Sequence, residues 1–155
     1  MASRHHLIRD RVVDNQKVSI SGRKSPNEEF IMDKPESRYD IQTAEIMFEP
    51  GQQFDVHAIG AAQTPWWNRT LCAVNDSWIR LGVMEGDFHW HKHDAEDEFF
   101  LVLEGHLDIE LEDRTISLLP GQAFTVPAGV MHFPHARVRS VVLMVERAGI
   151  LPTGD

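Results

Sequence analysis

Three histidines occupy alternate positions in one short stretch of the chain, at His89, His91 and His93. Alternate residues of a β-strand share one face, so the three imidazoles are expected to point the same way, opposite to Trp90 and Lys92. Uncharged imidazole nitrogens are good ligands for zinc, iron, nickel, copper and manganese, and a nearby carboxylate completes a mixed nitrogen and oxygen shell. The stretch therefore predicts a site for one divalent metal ion.

Two of these histidines belong to a longer pattern, which a second pattern follows. In the first, His91 and His93 are followed by Glu98 and Gly105 in the spacing His-x-His-(x)4-Glu-(x)6-Gly. The second begins after a further fifteen residues, has the spacing Gly-(x)5-Pro-x-Gly-(x)2-His, and ends at His132. In order and separation, the two patterns resemble those of the cupin superfamily.

The resemblance is to small single-domain cupins of bacteria and fungi and covers roughly residues 65–155. It implies a jelly-roll β-barrel, usually a homodimer, with one divalent metal held near the middle of the barrel. Carried over by position, it assigns the metal ligands to His91, His93, Glu98 and His132.

An alternative register and two departures bear on this assignment. A register that starts at His89 and uses Glu96 has the same ligand spacing, but it places Leu103 where the pattern has a glycine. The opening glycine of the pattern is replaced by Glu85 and its closing asparagine by Ala136. These last two positions shape turns, so the predicted ligand set is unchanged.

Glu98 and His89 are weighed separately from the other residues. Glu98 precedes a strongly apolar run, and burying a carboxylate there is costly unless a cation neutralises it. His89 has three open roles, as a further ligand, as a general base beside the metal, or as a packed residue of the pocket, and we take it as the candidate base. Two interpretations also stay open for His57: its side chain faces the same cavity, or it is an ordinary residue outside the site.

The elements that position these residues are short apolar runs separated by turn signals, which is typical of β-strands. No segment of 12 or more residues has a helical period, so helix is expected to be minor. We predict an all-β fold, a cupin jelly-roll barrel over residues 41–155, preceded by a polar N-terminal arm over residues 1–40. The predicted runs are Ile41–Phe48, Phe54–Ala58, Leu71–Val74, Trp78–Met84, Glu98–Leu103, His106–Leu111, Thr115–Leu118, Ala123–Val126, Met131–Phe133 and Ser140–Glu146.

Composition excludes several classes of function. The 155 residues include 15 basic and 24 acidic side chains, for a formal charge of -9, which disfavours nucleic acids and anionic membranes as partners. No apolar stretch is long enough to span a bilayer, and no secretory segment precedes the first charged residues, so we expect a cytoplasmic protein. Cys72 is the single cysteine, which excludes an internal disulfide.

A metal with open coordination positions predicts an enzyme that acts on a small, largely apolar, oxygenated molecule. One class is dioxygenase chemistry on an enediol or phenol, and the other is polyketide-type cyclisation or isomerisation through a metal-stabilised enolate. The alternative is a binding or sensing module that the metal stiffens. Phe100 has the parity of Glu98 and is expected to line the cavity, and Arg80, Arg137 and Arg139 are the candidate contacts for an anionic group.

Overall fold

The computed structural model describes residues 38–154, so the predicted arm lies outside the described residues except for its last three. In this range the chain forms eight strands and one short helix, which confirms the all-β class, and no helix there is long and apolar enough to cross a membrane. The elements are β1 (Asp40–Ile46), α1 (Val56–Ala61), β2 (Trp67–Val74), β3 (Ser77–Asp87), β4 (Glu98–Glu104), β5 (Leu107–Leu111), β6 (Thr115–Leu118), β7 (Ala123–Val126) and β8 (His132–Arg147).

The eight strands form one sheet, in which the 16-residue strand β8 joins two halves. The order along the sheet is β1-β2-β3-β8-β4-β7, and β5 pairs with both β6 and β8. The first part of β8, residues 132–136, pairs with β5, and residues 141–145 pair with β4. The predicted ligand His132 is therefore the first residue of the strand that connects both halves.

The main core is enclosed by the curled sheet. Its buried cluster takes side chains from β3 through β8, which requires the sheet to fold over on itself. Phe100 and Val102 alternate along β4 with their side chains in this cluster. Glu98 has the same parity and faces the same interior.

The opposite face of β2, β3 and β8 carries a second cluster, which α1 and the segment before it cover. Here the predicted strand over Phe54–Ala58 is wrong. The Asp55 side chain accepts hydrogen bonds from the amides of His57 and Ala58, at 2.9 and 3.0 Å, and caps a helix instead. Val56 and Ile59, one helical turn apart, then pack against the sheet.

Polar and apolar residues alternate along β5, which predicts a strand with one solvated face, but this face is only partly exposed. Asp108 is 4% exposed, whereas Glu110 is exposed as expected. The Ser117 hydroxyl and the Arg137 guanidinium both donate to the Asp108 carboxylate, and a ring nitrogen of His106 lies 3.1 Å from it. These partners compensate the burial of the charge.

Candidate metal centre

The predicted ligands are held by the connection between β3 and β4 and by the start of β8. His91 and His132 form an antiparallel bridge, in which each amide donates to the other's carbonyl at 3.0 and 2.9 Å. The amide of Gly129 donates to the carbonyl of His93 at 2.7 Å. The strand expected through His89, His91 and His93 is thus reduced to a single bridge, which is nevertheless enough to position the two imidazoles.

Three imidazoles converge on one carboxylate oxygen. The Nε2 atoms of His91, His93 and His132 lie 3.8, 3.4 and 3.0 Å from Oε2 of Glu98. All four side chains are buried. The possible ligand atoms of His91, His93 and Glu98 also lie within 4.8 Å of one another. The structure therefore brings together the four residues that the sequence predicts as ligands.

Backbone carbonyls fix the tautomers of two of the rings. Nδ1 of His91 lies 3.0 Å from the carbonyl of His89, and Nδ1 of His132 lies 3.0 Å from the carbonyl of Val130. A carbonyl oxygen only accepts, so Nδ1 carries the hydrogen and Nε2 of the neutral ring presents a lone pair to Glu98. Metal-binding histidines commonly have this arrangement, with the second nitrogen held by a carbonyl.

These residues fit a metal cation. A lone pair of His132 that faces a carboxylate oxygen is repelled unless a proton or a cation lies between them. His93 is 2% exposed, and neither of its ring nitrogens makes a hydrogen bond. Unpartnered buried nitrogens are costly unless they ligate a group such as a metal.

The electrostatics of Glu98 lead to the same conclusion. Burial alone raises the pKa of Glu98, but the side chains of His132, His91 and His93 around its carboxylate offset this effect and leave the pKa well below its usual value. The site therefore favours the charged carboxylate. A divalent cation supplies a compensating positive charge while the rings stay neutral.

An apolar cavity lies beside the four residues. Its volume is about 30 Å³, which is room for about two water molecules. Phe100 lines it, as predicted from its parity. The lining residues are Ile41, Trp66, Trp67, Asn68, Met84, Phe88, His91, Glu98, Phe100, Pro134, Met144 and Pro152.

The segment that follows β8 closes one side of this cavity. Pro152 lines the cavity, and a Cβ added to Gly154 would lie 2.7 Å from Cβ of His91. The carbonyl of Thr153 lies 2.9 Å from Nε2 of His89, and the guanidinium of Arg80 donates to the carbonyl of Ile150 at 2.6 Å. We call residues 150–154 the covering segment.

The other two candidate histidines differ in position. His89 packs against Phe88, with ring centroids 4.0 Å apart, and its Nε2 donates to Thr153, which leaves Nδ1 as the nitrogen able to accept a proton. His57 lies on α1 with its side chain 64% exposed, and its Nδ1 is 3.6 Å from the carboxylate of Glu104. His57 therefore does not join the cluster.

The three candidate anion contacts are engaged elsewhere. Arg80 is fully buried and pairs with Glu146, while Arg137 pairs with Asp108. Arg139 donates to the carbonyls of Gly60 and Gln63. The expectation that these arginines bind an anionic group of the substrate is not supported.

Sequence analysis missed Asn68, which lines the cavity, and Glu146, which is buried. Asn68 stands beside Trp67 and two residues before the next inward-facing position, Thr70. A polar residue with inward parity on a strand that is otherwise buried is the signal that could have identified it.

Comparisons with known proteins agree with this fold. The Cupin domain family model matches residues 78–146, which include all four predicted ligands. The uncharacterized protein YdbB of Bacillus subtilis (strain 168) is 39% identical over 80 residues, which are 51% of this chain and 71% of YdbB. A cupin-2 domain containing protein from Shewanella frigidimarina has 32% identity and a TM-score of 0.58, covering 61% of this chain and 93% of that one.

A more distant neighbour supports the fold alone. Hydroquinone 1,2-dioxygenase from Sphingomonas sp. TTNP3 has a TM-score of 0.54 at 17% identity, over 65% of this chain and 77% of that one. Taken together, the curled sheet and the matches define a jelly-roll fold. This chain belongs to the cupin superfamily.

Proposed function

We propose that this protein is a metal-dependent enzyme in which His91, His93, Glu98 and His132 hold one divalent cation. The observation that carries the proposal is the convergence of three Nε2 atoms on Oε2 of Glu98, at 3.0 to 3.8 Å. Two of the three rings have Nδ1 on a backbone carbonyl, so their Nε2 lone pairs are free for a metal.

When bound, such a cation supplies Lewis-acid polarisation of substrate oxygens and, if it is redox-active, one-electron chemistry with dioxygen. The protein supplies the rest. Apolar walls such as Phe100 and Met144 exclude water and orient the body of the substrate. His89 is the proposed general base, and Nδ1 is the atom that takes the proton because Nε2 already donates to Thr153.

The cavity supports a small and largely apolar substrate. Its lining combines the aromatic side chains of Trp66, Phe88 and Phe100 with Met84 and Met144. The lining contains no lysine or arginine among residues 38–154. A phosphorylated or strongly anionic substrate is disfavoured, because such groups are usually bound by cationic side chains.

Elemental analysis of protein made without added metal tests the ligand set. We expect about one transition-metal ion per chain, which is lost in each of the variants His91→Ala, His93→Ala, Glu98→Ala and His132→Ala. His57→Ala is the matched control, since His57 is exposed on α1, and it is expected to keep the metal. Retention of metal by all four variants would refute the proposed site.

The identity of the metal then separates the two reaction classes. Iron, nickel, copper or manganese, with oxygen uptake on a catechol-like or enediol probe, supports a dioxygenase. Zinc, with no oxygen uptake and with solvent deuterium exchange into a diketone probe, supports cyclisation or isomerisation.

The second candidate function is a metal-stiffened module that binds or senses a small ligand. It is favoured by the small volume of the cavity, which has room for about two water molecules. His89→Gln discriminates between the two candidates. Loss of turnover with metal and ligand affinity retained supports an enzyme, whereas ligand binding by the unmodified protein without turnover supports the module.

Two further parts of the proposal come from the family resemblance and from the sequence. The homodimer is tested by sedimentation equilibrium of the metal-loaded protein. The cytoplasmic location is tested by fractionation of cells that express the full chain.

A further inference from the structure

We propose that Asn68 is a specificity residue that binds a hydroxyl group of the substrate in the cavity that it shares with Glu98. This inference deepens the proposed function and rests on it for the metal-binding end of the substrate. Asn68 lies on β2 with 9% of its surface exposed and lines the same cavity as His91 and Glu98.

The side-chain oxygen of Asn68 is buried and has no hydrogen-bond partner. A buried polar atom left unpaired destabilises the folded state, so an asparagine with a purely structural role is expected to be hydrogen-bonded. Thr70, the next inward-facing residue of β2, shows the contrast. Its hydroxyl donates to the carbonyl of Thr43 at 2.7 Å.

The register of the sheet aims Asn68 at the cavity. Asn68 pairs directly with Gly82 on β3, and side chains of directly paired residues lie on the same face. A Cβ added to Gly82 would lie 2.7 Å from Cε of Met84 and 3.2 Å from Cε of Met144. Both methionines line the cavity, so the Asn68 carboxamide faces the same space.

Asn68 and Glu98 stand on strands that are separated in the sheet. In the order of strands, β3 and β8 lie between β2 and β4. Each of these two strands contributes an apolar side chain to the cavity, with Met84 on β3 and Met144 on β8. The cavity thus combines the candidate metal centre, an apolar lining, and one unpaired polar group on a separate strand.

This arrangement identifies a substrate class. It is a small, mostly apolar molecule with metal-chelating oxygens at one end and a hydroxyl at the other. A hydroxyl both donates and accepts, so it can pair with either end of a carboxamide. The flat rings of Trp66 and Phe88 on the walls favour an aromatic or conjugated body.

A pair of probes and one substitution test the inference. The probes are 2,4-dihydroxybenzoate and 2-hydroxy-4-methylbenzoate, which share a chelating end and differ only in a distal hydroxyl or methyl group. Both probes are larger than the cavity, so the binding of either one requires the covering segment to move away. We expect the metal-loaded protein to bind the dihydroxy probe about tenfold more tightly or better, by calorimetry. Asn68→Leu is expected to abolish this preference.

Thermal unfolding supplies a readout that is independent of the probes. Asn68→Leu removes an unpaired polar atom and is expected to keep or raise the Tm. Thr70→Val is the matched control, because it breaks a bond that is made, and it should lower the Tm by about 2–4 °C. A fall in the Tm of Asn68→Leu beyond that of the control would assign Asn68 a structural role and overturn the inference.

The remaining outcomes are also decisive. Two results overturn the role of Asn68. One is an equal preference for the dihydroxy probe in the unmodified protein and in Asn68→Leu. The other is that the metal-loaded unmodified protein does not bind the dihydroxy probe. Failure of the unmodified protein to take up any metal instead refutes the proposed function, and elemental analysis shows this before any probe is added.

Discussion

The guanidinium of Arg80 and the carboxylate of Glu146 pair inside the barrel, where their side chains are 0% and 1% exposed. Burial lowers the pKa of Arg80 and raises the pKa of Glu146, while the attraction between the opposite charges of the pair opposes both shifts. Nε of Arg80 and Oε1 of Glu146 have no hydrogen-bond partner, so the pair is incompletely satisfied. It stabilises the fold only as long as both partners are present.

Arg80→Met is therefore expected to lower the free energy of unfolding by about 3–5 kcal/mol, because it leaves Glu146 buried without its partner. Asp40→Asn is the control, since Asp40 pairs with Arg69 at 2.8 Å with its own side chain 52% exposed, and it should cost less than about 1 kcal/mol. Urea denaturation measures both.

The double variant Arg80→Met/Glu146→Leu is expected to recover most of the loss, because it removes both charges together. Equal losses for Arg80→Met and Asp40→Asn would contradict this account of the buried pair.

Gly105, the glycine that ends the first motif, is required by the backbone and by packing. Its φ is +87°, and an added Cβ would lie 2.3 Å from Oγ of Ser140 and 2.6 Å from the carbonyl oxygen of Arg139. Ser140 cannot easily move away, because its hydroxyl is hydrogen-bonded to the backbone of both His106 and Val138.

Gly105→Ala is accordingly expected to lower the free energy of unfolding through two effects. The left-handed backbone conformation costs about 1–2 kcal/mol. The steric overlap costs about 1–3 kcal/mol. Gly121→Ala shares the first effect alone, since φ there is +83° and nothing lies within 4 Å of the added Cβ. Denaturation midpoints of the two variants give the comparison. Similar losses at both positions would show that the overlap with Ser140 is relieved.

Much of the site could be predicted because its constraints are local. His91, His93 and Glu98 are close in the chain, and Gly105 follows them at a turn that requires a positive φ. One short motif therefore contains both the ligand residues and the glycine that the backbone requires. His132 is distant in the chain, and the family pattern is what predicts it. The hydrogen bonds of His132 with His91 and Val130 explain why the second pattern has a fixed spacing.

The other features depend on contacts that are distant in the sequence. Nothing near Asp108 in the chain indicates that Arg137 compensates its burial. The alternation along β5 therefore predicts a fully solvated face. The pairing of Arg80 with Glu146 joins β3 to the end of β8. Asp55 was readable as a helix cap, but the apolar residues after it fit a strand equally well.

The Asp108 cluster predicts an acid-dependent loss of stability. Burial opposes ionisation of Asp108, but the hydrogen bonds from Ser117 and Arg137 and the charges of Arg137 and His106 lower its pKa below the usual value of an aspartate. His135 also faces it across the β5–β8 pair. A lowered pKa in the folded state means that the unfolded chain binds the proton more tightly.

The stabilisation from Asp108 is thus present above about pH 4 and is lost as the pH falls through the lowered pKa. We expect the difference in unfolding free energy between the unmodified protein and Asp108→Asn to shrink between pH 5 and pH 3. Asp113→Asn, in the exposed β5–β6 turn, should show a small difference throughout. A constant difference for Asp108→Asn over this range would contradict the assigned charge interactions.

The covering segment predicts a kinetic effect on the metal centre. Gly154→Val places its Cβ 2.7 Å from Cβ of His91 and 2.9 Å from the carbonyl oxygen of Lys92, so the segment has to move away from the cavity. Gly149→Val is the matched control, because its φ of +93° is similar to the +85° of Gly154 and its Cβ meets nothing within 4 Å. We expect Gly154→Val to lose metal to EDTA several-fold faster than the control, as followed by a chromogenic chelator. Equal stripping rates would mean that residues 150–154 do not limit access to His91, and that the substrate enters past another wall of the cavity.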